Sequence, residues 1–126
     1  MISGPFDMEA ARRNYHERTL SRRHRLHKLW QRARDEADRA VEIVVEKYHP
    51  SRVVQWGSIL RPDLFTEVSD IDLAVEGIDN AETWSRLERD VASEVTFPLD
   101  LVRFERIHGE HQKQILSRGF VRYERE

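Results

Sequence analysis

Apolar residues at three- and four-residue steps predict a long amphipathic helix before residue 50. The apolar stripe includes Trp30, Ala37 and Val44, and this spacing places its members on one face of an α-helix. Because Pro50 disfavours a helical conformation in the residue before it, we expect the helix to end near Tyr48. Toward the N-terminus the stripe weakens, which predicts either a second helix or a frayed extension there.

The hydrophobic period shortens after Pro50, and this change predicts strands. Residues 52–56 predict a short buried strand that ends at Gly57. Residues 70–76 predict a second strand, with Ile71, Leu73 and Val75 on one face. The remaining predicted elements are a helix capped by Asp79 or Asn80, a strand over 99–104, a helix over 109–117 and a strand over 120–123. We expect an α+β (α/β) fold, a small mixed β-sheet with helices packed on one face. A long N-terminal helical extension over 1–49 would precede the sheet domain over 50–126.

Composition excludes several classes of protein. The chain has no Cys, which excludes a disulfide framework, a thiolate metal site and a Cys nucleophile. No apolar run has the length of a membrane span, and the first ten residues have no signal-peptide pattern. We therefore expect a cytoplasmic protein that does not bind a membrane.

Basic charge is concentrated in the N-terminal third of the chain. Residues 12–34 contain nine Lys and Arg and one acidic residue, although the formal net charge of the chain is −2. The interpretation ranked first is a solvated helix face whose Arg stems cover apolar surface. Docking of a partner protein ranks second, and nucleic acid ranks third because few aromatic residues interleave the basic ones. The helix is also expected to mediate contact with a partner or formation of a homodimer or hetero-oligomer.

Three carboxylates occupy positions on the predicted strands where they can meet. Asp70 and Asp72 are two residues apart, so a strand directs both to one face, with Cα atoms roughly 6.7 Å apart. Asp100 lies between Leu99 and Leu101 on the third strand, an apolar setting in which an unpaired carboxylate is costly. If the two strands are neighbours, the three carboxylates can hold a divalent cation. The alternative is a solvated pair of aspartates and an unrelated Asp100.

The turn that follows the first strand suits a phosphate chain. Gly57 leaves backbone N–H groups accessible and Ser58 adds a hydroxyl donor. Alone, this pair is also what a simple strand-ending turn contains. Upstream of a carboxylate pair it indicates phosphoryl chemistry, in which carboxylates hold metal ions that bridge phosphate oxygens.

Together these motifs resemble the signature of the DNA polymerase β-like nucleotidyltransferases. Trp-Gly-Ser at residues 56–58 is followed, after the eleven residues 59–69, by Asp-Ile-Asp-Leu at residues 70–73. Asp100 fits the family's third carboxylate, and residues 115–123 are similar to its helix-Gly-strand ending. The resemblance covers roughly residues 51–123 and is greatest to the minimal nucleotidyltransferases, the MNT-type antitoxins that are paired with HEPN toxins.

The resemblance implies a donor site for a nucleoside triphosphate. Gly57 and Ser58 would bind the triphosphate, with Ser69 and Arg61 as further nucleotide-binding residues. The family often has Arg directly after Gly-Ser, whereas residues 59–60 are Ile-Leu here. We expect either that Arg61 substitutes for the missing arginine or that the contacts with the triphosphate are weaker.

The resemblance also implies the catalytic and metal-binding residues. Asp70 and Asp72 would hold two Mg²⁺ ions, and Asp100 would bind the catalytic metal and help to activate the acceptor hydroxyl. The implied reaction is attack of that hydroxyl on the α-phosphate of a nucleoside triphosphate, with release of pyrophosphate.

Three functions are consistent with the sequence. The first is a Mg²⁺-dependent nucleotidyltransferase that moves AMP from ATP to a hydroxyl of a partner protein such as a HEPN-type toxin. The second is a non-catalytic, antitoxin-like subunit that neutralises a partner by docking, to which the altered loop at residues 59–60 points. A transferase acting on a small molecule ranks last, because it needs more chain or a pocket formed by a dimer.

Overall fold

One continuous helix forms the N-terminal third of the protein. The computed structural model describes residues 5–126, and the start of the predicted extension, residues 1–4, lies outside the described residues. Helix α1 (Met8–Tyr48) has no break between the strong and weak parts of the apolar stripe. Asp7 caps it by accepting a hydrogen bond from the backbone N–H of Ala10. At the other end His49 adopts a left-handed conformation, and its N–H donates to the carbonyl of Val45.

The strands and the last helix match the sequence prediction to within one residue at each end. Helix α2 (Ala81–Ala92) begins where Asn80 accepts a hydrogen bond from the backbone N–H of Thr83, so Asn80 rather than Asp79 is the cap. It ends before Val95, the last position of the apolar stripe that predicts this helix. Short 3-10 turns, which the sequence did not predict, occupy the loop between the first two strands and follow the third. In chain order the elements are β1 (Arg52–Trp56), β2 (Ile71–Glu76), α2 (Ala81–Ala92), β3 (Leu99–Arg103), α3 (Gly109–Arg118) and β4 (Phe120–Glu124).

The four strands form one mixed sheet in the order β3-β2-β1-β4. Strand β1 pairs antiparallel with both β2 and β4, whereas β2 and β3 are parallel and α2 connects them. A parallel pair requires a crossover of this kind, because a hairpin turn joins only antiparallel strands. The N-terminal ends of β2 and β3 therefore lie side by side, next to the C-terminal end of β1.

Helices α1 and α2 pack on one face of the sheet, as the sequence predicted. Buried residues 33–44 of α1 share a core with Leu73 on β2 and with Leu87 on α2. This core therefore extends across the predicted domain boundary at residues 49 and 50. Helix α3 covers part of the opposite face, where Ile115 packs on Val54 in a second, smaller cluster.

The first half of α1 projects beyond this core. Between residues 12 and 25 nearly every side chain is exposed. Arg22 forms an ion pair with Glu67 in the loop that precedes β2, and both side chains are half exposed, so the pair adds little stability. Within residues 5–126 no helix has the length and apolar character needed to cross a membrane.

Candidate active site

Two of the three predicted carboxylates lie side by side on the parallel strands. The register of β2 and β3 pairs Asp72 with Asp100, and neighbouring strands place such partners about 4.8 Å apart. Side chains alternate along a strand, so both carboxylates lie on the face opposite α1 and α2. The carboxylates of Asp72 and Asp100 can lie close together only if β2 and β3 are neighbours, and the structure confirms that they are.

Asp72 is the most strongly perturbed titratable group of the site. Asp72 is only 9% exposed, and this burial is the largest of four causes that together raise the pKa of the Asp72 carboxyl to about 7. The other three causes are the negative charge of Asp70, a hydrogen bond with Asp70 and the charge of Asp100. All three carboxylates therefore interact, and Asp72 experiences the repulsion of the other two.

Asp100 differs from its sequence prediction in one respect. We predicted an apolar setting from its neighbours Leu99 and Leu101, but its side chain is exposed. The reason is that β3 is an edge strand, so the face that carries Asp100 is open at this end of the sheet. The buried carboxylate is instead Asp72, which lies on the inner strand β2.

The Gly-Ser turn lies directly against Asp72. Trp56 at the end of β1 pairs with Asp72 across the sheet, and Gly57 then turns with φ +88°, a conformation that side chains rarely adopt. A Cβ atom at residue 57 would lie 2.1 Å from Oδ2 of Asp72. Glycine is therefore required here for the backbone to approach the carboxylate, and the predicted contact of Gly57 and Ser58 with a triphosphate stays a prediction.

The loop after Ser58 is anchored by apolar side chains. Ile59 and Phe65 are both 2% exposed and belong to the main core. The indole N–H of Trp30 on α1 donates a hydrogen bond of 2.8 Å to the carbonyl of Ile59. Because residue 59 faces the core, an arginine at that position would bury its charge, which gives a physical reason for the departure from the family pattern.

Ser69 holds the end of this loop in place. Its hydroxyl accepts a hydrogen bond of 2.9 Å from the backbone N–H of Thr66, and its own N–H donates to the carbonyl of Thr66. The hydroxyl therefore fixes the turn that leads into Asp70. Its predicted contact with a nucleotide stays a prediction.

A pocket of about 350 Å³ opens on the other side of the Gly-Ser turn. Trp56, Leu64 and Ile115 form part of its apolar wall. Its polar lining brings the predicted residues of the turn together with side chains of α3, namely Gly57, Ser58, Arg61, His111, Gln114 and Arg118. Arg61 thus lines the same pocket as Gly57 and Ser58, and its predicted contact with a nucleotide stays a prediction.

The α3 side chains of this pocket were not among the predicted site residues. The sequence predicts residues 109–117 only as a helix near the end of the chain. A signal was nevertheless present, because His111, Gln114 and Arg118 recur at three- and four-residue steps and so share one helix face. What the sequence did not show is that this face is turned toward Gly57.

The carboxylates have the chemistry of a Mg²⁺ site, although they do not form a closed cage. Carboxylate oxygens are ligands that Mg²⁺ prefers, and a cation would relieve the repulsion that raises the pKa of Asp72. In the part of the chain from residue 5 onward, no three acidic or His side chains are already arranged around a common point. Binding therefore requires rotation of Asp70 or Asp100, which are both more exposed than Asp72.

Comparison with known proteins identifies a relative by structure. No protein-family model and no curated protein matches the sequence. A chain of the crystal structure of the toxin-antitoxin MntA-HepT superimposes with a TM-score of 0.55 at 17% sequence identity, covering 73% of this chain and 73% of that one. Likeness at this identity concerns the fold. The chain therefore shares the α+β fold of that chain, in agreement with the fold class expected from the sequence.

Proposed function

We propose that this protein is a Mg²⁺-dependent nucleotidyltransferase that moves AMP from ATP to a hydroxyl group of a partner protein. The observation that carries the proposal is the register of Asp72 with Asp100, with Gly57 packed against Asp72. Phosphoryl transfer needs carboxylates for metal ions next to a backbone turn that accommodates phosphate, and these parts are adjacent here. The likeness to a toxin-antitoxin structure supports a HEPN-like toxin as the partner.

Each carboxylate has a role that follows from its position. Asp70 and Asp72 would hold two Mg²⁺ ions, which neutralise charge on the phosphates when bound. Asp100 is the most accessible of the three, so we assign to it the proton of the acceptor hydroxyl. The hydroxyl oxygen forms a bond to the α-phosphorus, the bond from that phosphorus to the bridging oxygen breaks, and pyrophosphate leaves.

One observation favours the docking subunit as a second candidate. Ile59 is buried at the position where the family often has an arginine for the triphosphate. If this loss removed nucleotide binding, the protein would act only by covering its partner. This candidate predicts that changes at Asp72 leave neutralisation of the partner unaltered.

Thermal unfolding with nucleotides tests the proposal. We would measure the Tm with Mg²⁺ and each of ATP, GTP, CTP and UTP, for the parent, Asp72→Asn and the control Asp63→Asn. Asp63 is exposed in the adjacent loop, so the control removes the same charge away from the site. A ligand at a hundred times its Kd stabilises the folded state by about 2.7 kcal/mol. We expect a Mg²⁺-dependent rise in Tm with ATP for the parent and the control, and little or none for Asp72→Asn.

Transfer is then followed with ATP labelled at the α- or the γ-phosphate and the partner protein as acceptor. The proposal expects label on the partner from the α-phosphate alone, and loss of that label with Asp72→Asn. If no nucleotide raises the Tm of the parent, the transferase is refuted and the docking subunit is favoured. Equal labelling by Asp72→Asn would refute the assignment of the carboxylates.

A further inference from the structure

The pocket between the Gly-Ser turn and α3 carries positive charge that no acidic group balances. Arg61 and Arg118 are permanently charged, and the imidazole of His111 lines the pocket beside them. Among residues 5–126 no acidic side chain lines this pocket, and none of the three basic side chains forms an ion pair. The chain as a whole has 23 acidic and 21 Lys or Arg residues, so this local excess is specific to the pocket.

The pocket and the carboxylate cluster share one wall. Gly57 lines the pocket, and the position of its missing Cβ is 2.1 Å from Oδ2 of Asp72. Gly57 thus lies next to both a negative region and a positive region. A ligand that carries several linked phosphates can have one phosphate at the carboxylates, through a divalent cation, and the next ones at the basic side chains.

We infer that Arg118 and His111 of α3, with Arg61, bind the terminal phosphates of the donor nucleotide and replace the arginine that is absent after Gly-Ser. This inference rests on the proposed function for the identity of the donor, and it names residues that neither the motif nor the resemblance assigned. Arg118 is the principal contact, because a guanidinium binds phosphate oxygens in a bidentate geometry and keeps its charge at any physiological pH.

Helix α3 offers a matched control on its opposite side. Lys113 lies on the same helix, does not line the pocket, and is close to Glu110 in an exposed pair. Lys113→Gln therefore removes the same charge as Arg118→Gln from the same helix, and it leaves the pocket unchanged. His111→Gln tests the second contact on α3 with a neutral side chain.

Inorganic tripolyphosphate tests the basic side chains without the nucleotide. With EDTA present to remove divalent cations, we expect tripolyphosphate to raise the Tm of the parent and of Lys113→Gln. We expect Arg118→Gln to bind it at least about tenfold more weakly, since loss of a charge-assisted hydrogen bond is worth on the order of 1.5–3 kcal/mol. His111→Gln, which removes the imidazole from the pocket, should also weaken binding of tripolyphosphate. Equal binding by Arg118→Gln and Lys113→Gln would overturn the inference.

Two further ligands separate this inference from the proposed function. If Mg²⁺-ATP stabilises the parent and Arg118→Gln equally, the phosphate contact is overturned and the transferase stands. If tripolyphosphate binds through Arg118 but no nucleoside triphosphate raises the Tm, the site stands as an anion site and the transferase is refuted. If adenosine alone stabilises the parent, with no effect of Arg118→Gln on tripolyphosphate binding, the pocket accepts the base and the inference is wrong.

Discussion

Replacing Asp72 by Asn should stabilise the metal-free protein at alkaline pH. The raised pKa means that folding makes the ionised form of Asp72 unfavourable, through burial and through repulsion by Asp70 and Asp100. Asn has nearly the same size and can still donate a hydrogen bond toward Asp70, but it carries no charge. The substitution therefore removes the unfavourable ionisation and leaves the packing against Gly57 in place.

The magnitude follows from the pKa difference between the folded and unfolded chain. The pKa of Asp72 rises from 3.8 to about 7 on folding, and each pH unit corresponds to about 1.36 kcal/mol. The folded state binds the proton more tightly, so this group's contribution to stability is greatest below pH 4 and is lost as the pH rises to about 7. At pH 8.5 we expect Asp72→Asn to be more stable than the parent by up to about 4 kcal/mol, or roughly 10–15 °C in Tm for a chain of this size.

Thermal and urea unfolding in EDTA, from pH 4 to pH 8.5, would measure this difference. We expect the two stability curves to meet near pH 4 and to separate as the pH rises, whereas Asp63→Asn should follow the parent throughout. A variant that is less stable than the parent at pH 8.5, or one whose pH profile runs parallel to that of the parent, would refute the account of Asp72. Either result would mean that the carboxylate is not under electrostatic strain in the folded state.

Two further substitutions test the surroundings of the site. Gly57→Ala places a methyl group against Oδ2 of Asp72 and imposes a positive φ on Ala. We therefore expect the free energy of unfolding in urea to fall by about 1–3 kcal/mol, and nucleotide binding to be lost. Unchanged stability would contradict the close approach of Gly57 to Asp72. Burial acts to raise the pKa of Glu36, but hydrogen bonds from Thr96 outweigh it and lower the pKa. Glu36→Gln should thus cost about 1–2 kcal/mol at pH 7. This difference should be lost as the pH falls below the ordinary pKa of 4.5 and through the lowered pKa of Glu36; an equal loss at acidic and neutral pH would exclude the ionised form as its source.

The secondary structure was predictable because its signals are local. The apolar run over 52–56 is bounded by Pro50 and Gly57, and β1 has those bounds. Asn80 caps α2 through its own side chain, so the start of that helix is also encoded within a few residues. The continuity of α1 was not predictable in the same way, because its first half is exposed and has no packing partner to impose a stripe.

The sequence identified the carboxylates of the candidate site, but it did not determine how they are arranged in space. The spacing of Asp70 and Asp72 fixes their common face whatever the sheet order is. The partnership of Asp72 with Asp100 depends on the parallel pairing of β2 and β3, which is a long-range property that no local pattern specifies. The same dependence explains the wrong environment predicted for Asp100, because its neighbours in sequence do not reveal that β3 lies at the edge.

The departure from the family motif has a physical origin in the loop between β1 and β2. Ile59 and Phe65 are directed into the core, and Trp30 of α1 holds the backbone of Ile59 by a hydrogen bond. A loop anchored in this way has no basic side chain directly after the Gly-Ser turn. It does place Arg61 in the wall of the pocket that α3 also lines. The positive charge that the motif lacks in sequence is thereby supplied in space, by Arg61 and by residues some fifty positions later. A search by motif alone would reject the chain at residue 59, whereas the arrangement around Gly57 brings the proposed phosphate-binding side chains to the turn that borders Asp72.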